Sequence, residues 1–164
     1  MSKHEITGMS RLSRNDTGLP LAVMISDAPS NKKVPRIKVA QATTDFKNNS
    51  LNMSLSIAPH PEALTKIPKG MSHQDLASVA EWVSTNRSML LKYWYGIETE
   101  TRKVEQHLID GKDQGKTFDQ IIGRMRSMWV SQATKQEIST QMEVPVDAVD
   151  LIIDTNSKLF PDRK

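Results

Sequence analysis

The sequence predicts an α+β fold: a three-stranded antiparallel sheet covered by a long helix and followed by an all-helical C-terminal region. Three observations predict it. Between residues 20 and 57, apolar side chains recur at every second position. From residue 72 onward they recur at spacings of three and four. Between the two patterns, Pro59, Pro61 and Pro68 keep residues 58–70 irregular, because proline has no amide proton for a ladder or a helix.

Residues 1–16 are polar, with Ile6, Met9 and Leu12 isolated, and read as a flexible arm. Order is expected from Thr17-Gly18-Leu19-Pro20, a turn that feeds the first strand. Pro20 to Ser26 places Leu21, Val23 and Ile25 on one face. Asp27 to Lys33 is turn chemistry, with Pro29, Ser30 and Asn31. Pro35 to Ala40 turns Ile37 and Val39 one way and Arg36 and Lys38 the other. Gln41 to Asn49 is a polar loop. Ser50 to Ile57 alternates most clearly, with Leu51, Met53, Leu55 and Ile57 against Asn52, Ser54 and Ser56, the pattern of a strand with one face wet.

Three such strands need a cover for their apolar face. Ser72 followed by Asp75 is an N-cap arrangement, and Leu76, Val79, Val83, Leu90 and Trp94 form a helical stripe that ends at Gly96. Residues 17–97 therefore read as a β-β-β-α domain and residues 98–164 as a helical region. In that region Glu98 to Asp110 carries Val104 and Leu108, with His107 mid-helix and exposed. Thr117 with Gln120, and Thr134 with Glu137, are capping boxes, and Pro145 starts the last helix.

Composition narrows the function classes. The chain of 164 residues has no cysteine, which removes disulfides, thiolate metal sites and cysteine nucleophiles and fits a reducing compartment. No run approaches the roughly 20 apolar residues of a membrane helix. Leu19 to Ile25 is too short and too interrupted, by Pro20, for a signal sequence, so the expected location is cytoplasmic. Residues 1–50 carry eight Lys/Arg against four Asp/Glu, whereas residues 134–164 carry four against six. The basic character thus belongs to the front of the molecule and the acidic character to its end.

The four histidines, His4, His60, His73 and His107, share no metal-ligand spacing, and surface or capping roles suit them. His60 with Arg87 is the one pair that acid–base cleavage of RNA would draw on. No phosphate loop, dinucleotide fingerprint or nucleophile elbow is present. The expectation is a non-enzymatic protein with no cofactor and no metal.

Two stretches remain as binding candidates. Lys32, Lys33, Arg36 and Lys38 form a basic strip that suits phosphates, although the same charges would also keep an edge strand from aggregating. The run from Ala133 to Asp154 resembles a helix-turn-helix, with Ile138, Ser139, Glu143, Val144, Val149 and Ile152 at the packing positions of that motif, over the segment 134–155. Glu143 stands where the turn glycine is usual, and Ser139 where a small residue is usual. The second helix carries Asp147, Asp150 and Asp154, which repel phosphates. An ordinary three-helix packing unit explains the same spacing.

Thr17-Gly18-Leu19-Pro20, Val23, Ile25-Ser26, Arg36 and Lys38-Val39 form the first half of a wider pattern. Leu76, Trp82, Asn86-Arg87, Leu90-Leu91, Tyr93-Trp94 and Gly96 complete it. Over residues 16–97 the chain resembles a family of short bacterial and phage proteins, small domains of unknown function found in toxin–antitoxin neighbourhoods. Related domains carry a histidine-containing Asn-Pro-Pro-His turn before the second strand; here that stretch is Asn31-Lys32-Lys33-Val34-Pro35. The resemblance implies a small α+β fold and a mobile-element setting. The leading expectation is a regulatory protein that binds a protein partner of a nucleic-acid machine through Met125, Met128, Trp129, Asp147, Asp150 and Asp154. The alternatives are a DNA- or RNA-binding regulator and a small nuclease or toxin.

Overall fold

The computed structural model describes residues 9–27, 34–110 and 116–162. Among the described residues, four strands, β1 (Met9–Leu12), β2 (Ala22–Ser26), β3 (Arg36–Ala40) and β4 (Asn52–Ser56), pair in sequence order as an antiparallel meander. The α+β class matches the expectation, but the sheet has a fourth strand, drawn from the segment expected to be a flexible arm. In β1, Ser10 and Leu12 point inward while Met9 and Arg11 point out. Only one apolar side chain faces the core, so the alternation leaves almost no hydropathy signal. Its place comes from pairing: Ser10 lies opposite Ile25 and Leu12 opposite Val23. A short helix, α1 (Arg14–Thr17), joins it to β2; Ser13 and Asp16 close a capping box, and Gly18 ends the turn at φ 77°.

The register sorts the two faces. Leu12, Val23, Val39 and Met53 form one row, and Ile37 pairs with Leu55 in the next. All are buried, and they build the inner face. On the outer face, Ala22, Ala40 and Asn52 form a row covered by Phe46 from a 3-10 turn, Thr43–Lys47. The Asn52 amide pins that turn by donating to the carbonyls of Asp45 and Asn48.

Ser54 and Ser56, expected to be wet, are buried. The Pro-rich segment after β4 runs back along its free edge. Ser56 N–H donates to Glu62 O and Leu64 N–H to Ser54 O, both at 2.9 Å, and the Thr65 hydroxyl accepts from Ser54 N–H. This strap satisfies backbone groups that a sheet edge would otherwise leave open to pairing with another chain.

The covering helix is two helices, α2 (His73–Thr85) and α3 (Arg87–Trp94), broken at Asn86. The Asn86 side chain donates to Trp82 O at 2.9 Å, the same carbonyl that its backbone N–H uses. Such local side-chain bonding competes with helical continuation. α3 lies at the centre of the molecule. It packs on β2, α2, α4 (Thr101–Asp110) and α5 (Phe118–Val130), and all residues from Met89 to Tyr95 are buried. Gly96, at φ 79°, ends it, with Ile97 N–H returning to Lys92 O.

Two further helices, α6 (Lys135–Met142) and α7 (Val146–Thr155), pack successively beyond α5. Ser88 accepts from Phe118 N–H, and Arg87 donates to both Asp119 oxygens at 3.2 and 3.1 Å, so α5 is fastened to the start of α3. Tyr95 stacks on Phe118 with centroids 5.4 Å apart. Phe160 packs edge-on against Trp129, whose indole N–H donates to Pro161 O. One cluster of buried side chains runs without interruption from Leu12 to Phe160.

Candidate functional site

The basic strip and the helix-turn-helix-like segment occupy different parts of the fold. Arg36 and Lys38 lie on the outer face of β3, both half-buried. Lys32 and Lys33 lie outside the described residues. The register adds a residue that the sequence reading assigned to the arm: Arg11 of β1 stands opposite Met24, which stands opposite Lys38, which stands opposite Ser54. The next row places Met9, Ser26, Arg36 and Ser56 on the same face. Arg36 Nε donates to Val34 O at 3.1 Å, which fixes its guanidinium beside the strand. Among the described residues, no carboxylate pairs with Arg11, Arg36 or Lys38. Strand pairing alone brings Arg11 to this face, so only the missed β1 could have revealed it. Beside α1, a depression of about 200 Å³ is lined by Ser13, Arg14, Asn15, Ala22 and residues 41–43.

In the C-terminal region, α6 and α7 are joined by a short turn and pack on one another. Thr134 and Glu137 satisfy each other's backbone N–H groups in the expected capping box. Those bonds from Thr134 hold the Glu137 carboxyl below its ordinary pKa. Glu143 closes α6 in the left-handed region, at φ 57° and ψ 43°. The Ser139 hydroxyl donates to Val144 O at 2.6 Å across the turn. Ile138, Val144, Ala148, Val149 and Ile152 are buried between the helices. Asp147, Asp150 and Asp154 are exposed on the far side of α7, and Asp150 pairs with Lys135. Val146, at the start of α7, is 40 % exposed.

The other residues expected at the partner surface belong elsewhere. Met125 is completely buried and Trp129 nearly so, and Met128 is partly buried against the same core. They face inward because α5 is covered on one flank by α3 and on another by α6, with Phe160 closing over Trp129. A methionine and tryptophan stripe at helical spacing reads alike for a core and for a docking face. Of that expected surface, the aspartates of α7 remain exposed.

Among the described residues, the histidines form no metal-ligand group. His60 and His73 are exposed. Ser84 Oγ donates to Pro59 O, which holds the loop bearing His60 against the end of α2. Arg87 is engaged with Asp119. His107, expected to be exposed, is buried, and its Nδ1 has no hydrogen-bond partner. His4 lies outside the described residues. Among the described residues, no three His, Asp or Glu side chains sit together as metal ligands, and no helix is long and apolar enough to cross a membrane. Compared with known protein families, curated proteins and solved structures, the chain finds no match in any of the three.

Proposed function

We propose that this chain is a non-catalytic regulatory protein of phage or mobile-element origin that binds a basic protein partner of a nucleic-acid machine through the acidic face of α7. One observation carries the reading. The spacing of the α6–turn–α7 unit resembles that of a helix-turn-helix, yet the face of α7 turned to solvent displays Asp147, Asp150 and Asp154. A helix with this charge is repelled by a phosphate backbone and attracted to a surface built to hold one. Exposed Val146 adds an apolar contact at the start of the same helix.

The test is an affinity pull-down from host lysate with and without nuclease, using the wild type and the triple variant Asp147→Asn, Asp150→Asn, Asp154→Asn. The expected result is a stoichiometric partner that survives nuclease and is lost with the variant. A partner set that disappears on nuclease treatment sinks the reading. These side chains are exposed and the Lys135–Asp150 pair is a surface one, worth at most about 1 kcal/mol, so the variant should fold as the wild type does.

A second reading, direct DNA or RNA binding, is favoured by a different surface, the outer sheet face that carries Arg36 and Lys38 without carboxylate partners among the described residues. Binding by those side chains would weaken steeply with salt, because each neutralised phosphate releases counterions.

A further inference from the structure

We propose that the outer face of the sheet is a platform for single-stranded nucleic acid, with Arg11, Arg36 and Lys38 on its phosphates and Met24 against its bases. This rests on the nucleic-acid reading of that face and names both its substrate form and its residues.

The argument starts from register. Arg11, Met24 and Lys38 are direct neighbours across β1, β2 and β3, and Arg36 is two residues from Lys38 on the same face. Strands lie about 4.8 Å apart and residues rise about 3.3 Å each. Arg11 and Lys38 therefore stand roughly 10 Å apart across the sheet, and Arg36 and Lys38 roughly 7 Å apart along it. Cations spaced over a plane match an anion that repeats, not one that fills a pocket. None has a carboxylate partner among the described residues.

Width decides the form of nucleic acid. The outermost backbones of a four-stranded sheet are about 14 Å apart, which exceeds the roughly 12 Å opening of a B-DNA major groove. The face cannot enter a groove, and a rigid duplex would touch it along one backbone only. A single strand can lie flat, with phosphates on the cations and bases turned down onto Met24 and the guanidinium planes. The aromatic nearest this face, Phe46, is buried over Ala22 and Ala40, so base stacking on rings adds little. Affinity then rests on phosphate contacts and is highly salt-sensitive.

The experiment is fluorescence anisotropy with a labelled oligothymidine and with a labelled hairpin duplex, from 50 to 200 mM salt. Three phosphate contacts on a single strand give a log–log slope of about −2, or roughly a twentyfold loss of affinity over that range. Arg11→Gln, Arg36→Gln and Lys38→Gln should each lower the slope by about 0.7. Met24→Ala should weaken binding while leaving the slope unchanged. Duplex binding as tight as single-strand binding overturns the platform and leaves the nucleic-acid reading standing. Unchanged binding in both Arg11→Gln and Lys38→Gln places the nucleic acid elsewhere and also overturns it. Absence of binding to either probe at 50 mM salt overturns platform and reading together. Salt-sensitive self-association of the protein alone, lost in Lys38→Gln, would assign the face to the acidic α7 of a second copy and overturn the proposal.

Discussion

Glu143 occupies the left-handed conformation in which a β-carbon crowds the following carbonyl, a strain of about 1–2 kcal/mol. Replacing it with glycine removes that strain, at the cost of greater freedom in the unfolded chain. Glu143→Gly is therefore expected to stabilise the protein by about 0.5–1 kcal/mol in urea denaturation; a loss of stability would show that the side chain makes a contact outweighing its strain. Tyr93 is the residue with a distinct alkaline signature. Burial pushes its phenol above the ordinary pKa, the Thr101 hydroxyl 2.8 Å away pulls it down, and the carboxylates of Asp27 and Glu105 push it up. The folded state thus disfavours the phenolate. The associated stability is fully present below about pH 10, the unfolded value, and is lost as pH rises through the folded one. Thermal melts should fall more steeply above pH 10 for wild type than for Tyr93→Phe; equal slopes would remove Tyr93 as the cause. Much was legible at this scale. The Ser72, Thr117 and Thr134 caps stand where the sequence places them, because a cap is a local event between residues three apart. His107 was not legible: α4 touches α1, β1 and α3, so its buried face is wider than the Val104–Leu108 stripe.

At the scale of elements, β2, β3 and β4 follow from alternation, and α5, α6 and α7 follow from caps and periodicity. What escaped was whatever depends on a distant neighbour. β1 is a strand because β2 offers it a ladder, and Ser54 and Ser56 are buried because residues 62–65 fold back over them. The break at Asn86 escaped for another reason: the hydrophobic stripe continues on both sides of it, while the side-chain bond to Trp82 O that ends α2 has no hydropathy signature. The candidate surfaces divided in the same way. The α7 aspartates and the Arg36–Lys38 pair are readable from one element. Arg11 beside Lys38, and the inward turn of Met125 and Trp129, require knowing which elements meet.

At the scale of the molecule, the sequence break at residues 96–98 coincides with the end of α3, yet the core crosses it through Tyr95 and Phe118. Leu90, Tyr93 and Trp94, each at most 2 % exposed, belong to the same continuous cluster as Val104, Ile122 and Met125. Cutting the chain after residue 97 would leave that cluster open, at about 25 cal/mol for each Å² of apolar surface exposed. Residues 9–97 expressed alone are expected to lack a cooperative thermal transition, whereas the intact chain unfolds in one; a sharp transition in the fragment would show that the front half is self-sufficient.

The meander has a consequence for how quickly the molecule finds its shape. Every strand is hydrogen-bonded to the one beside it in sequence, whereas the helices also reach back, α3 to β2 and α4 to α1 and β1. Within the sheet, little loop-closure entropy must be spent before a contact forms, and local pairing of this kind favours fast formation. The sheet can zip hairpin by hairpin, with β1 as an outer strand that joins through a single partner. The row that joins Arg11 to Lys38 through Met24 would then assemble early, as a by-product of local pairing, and α7 would dock once the helices have closed over α3.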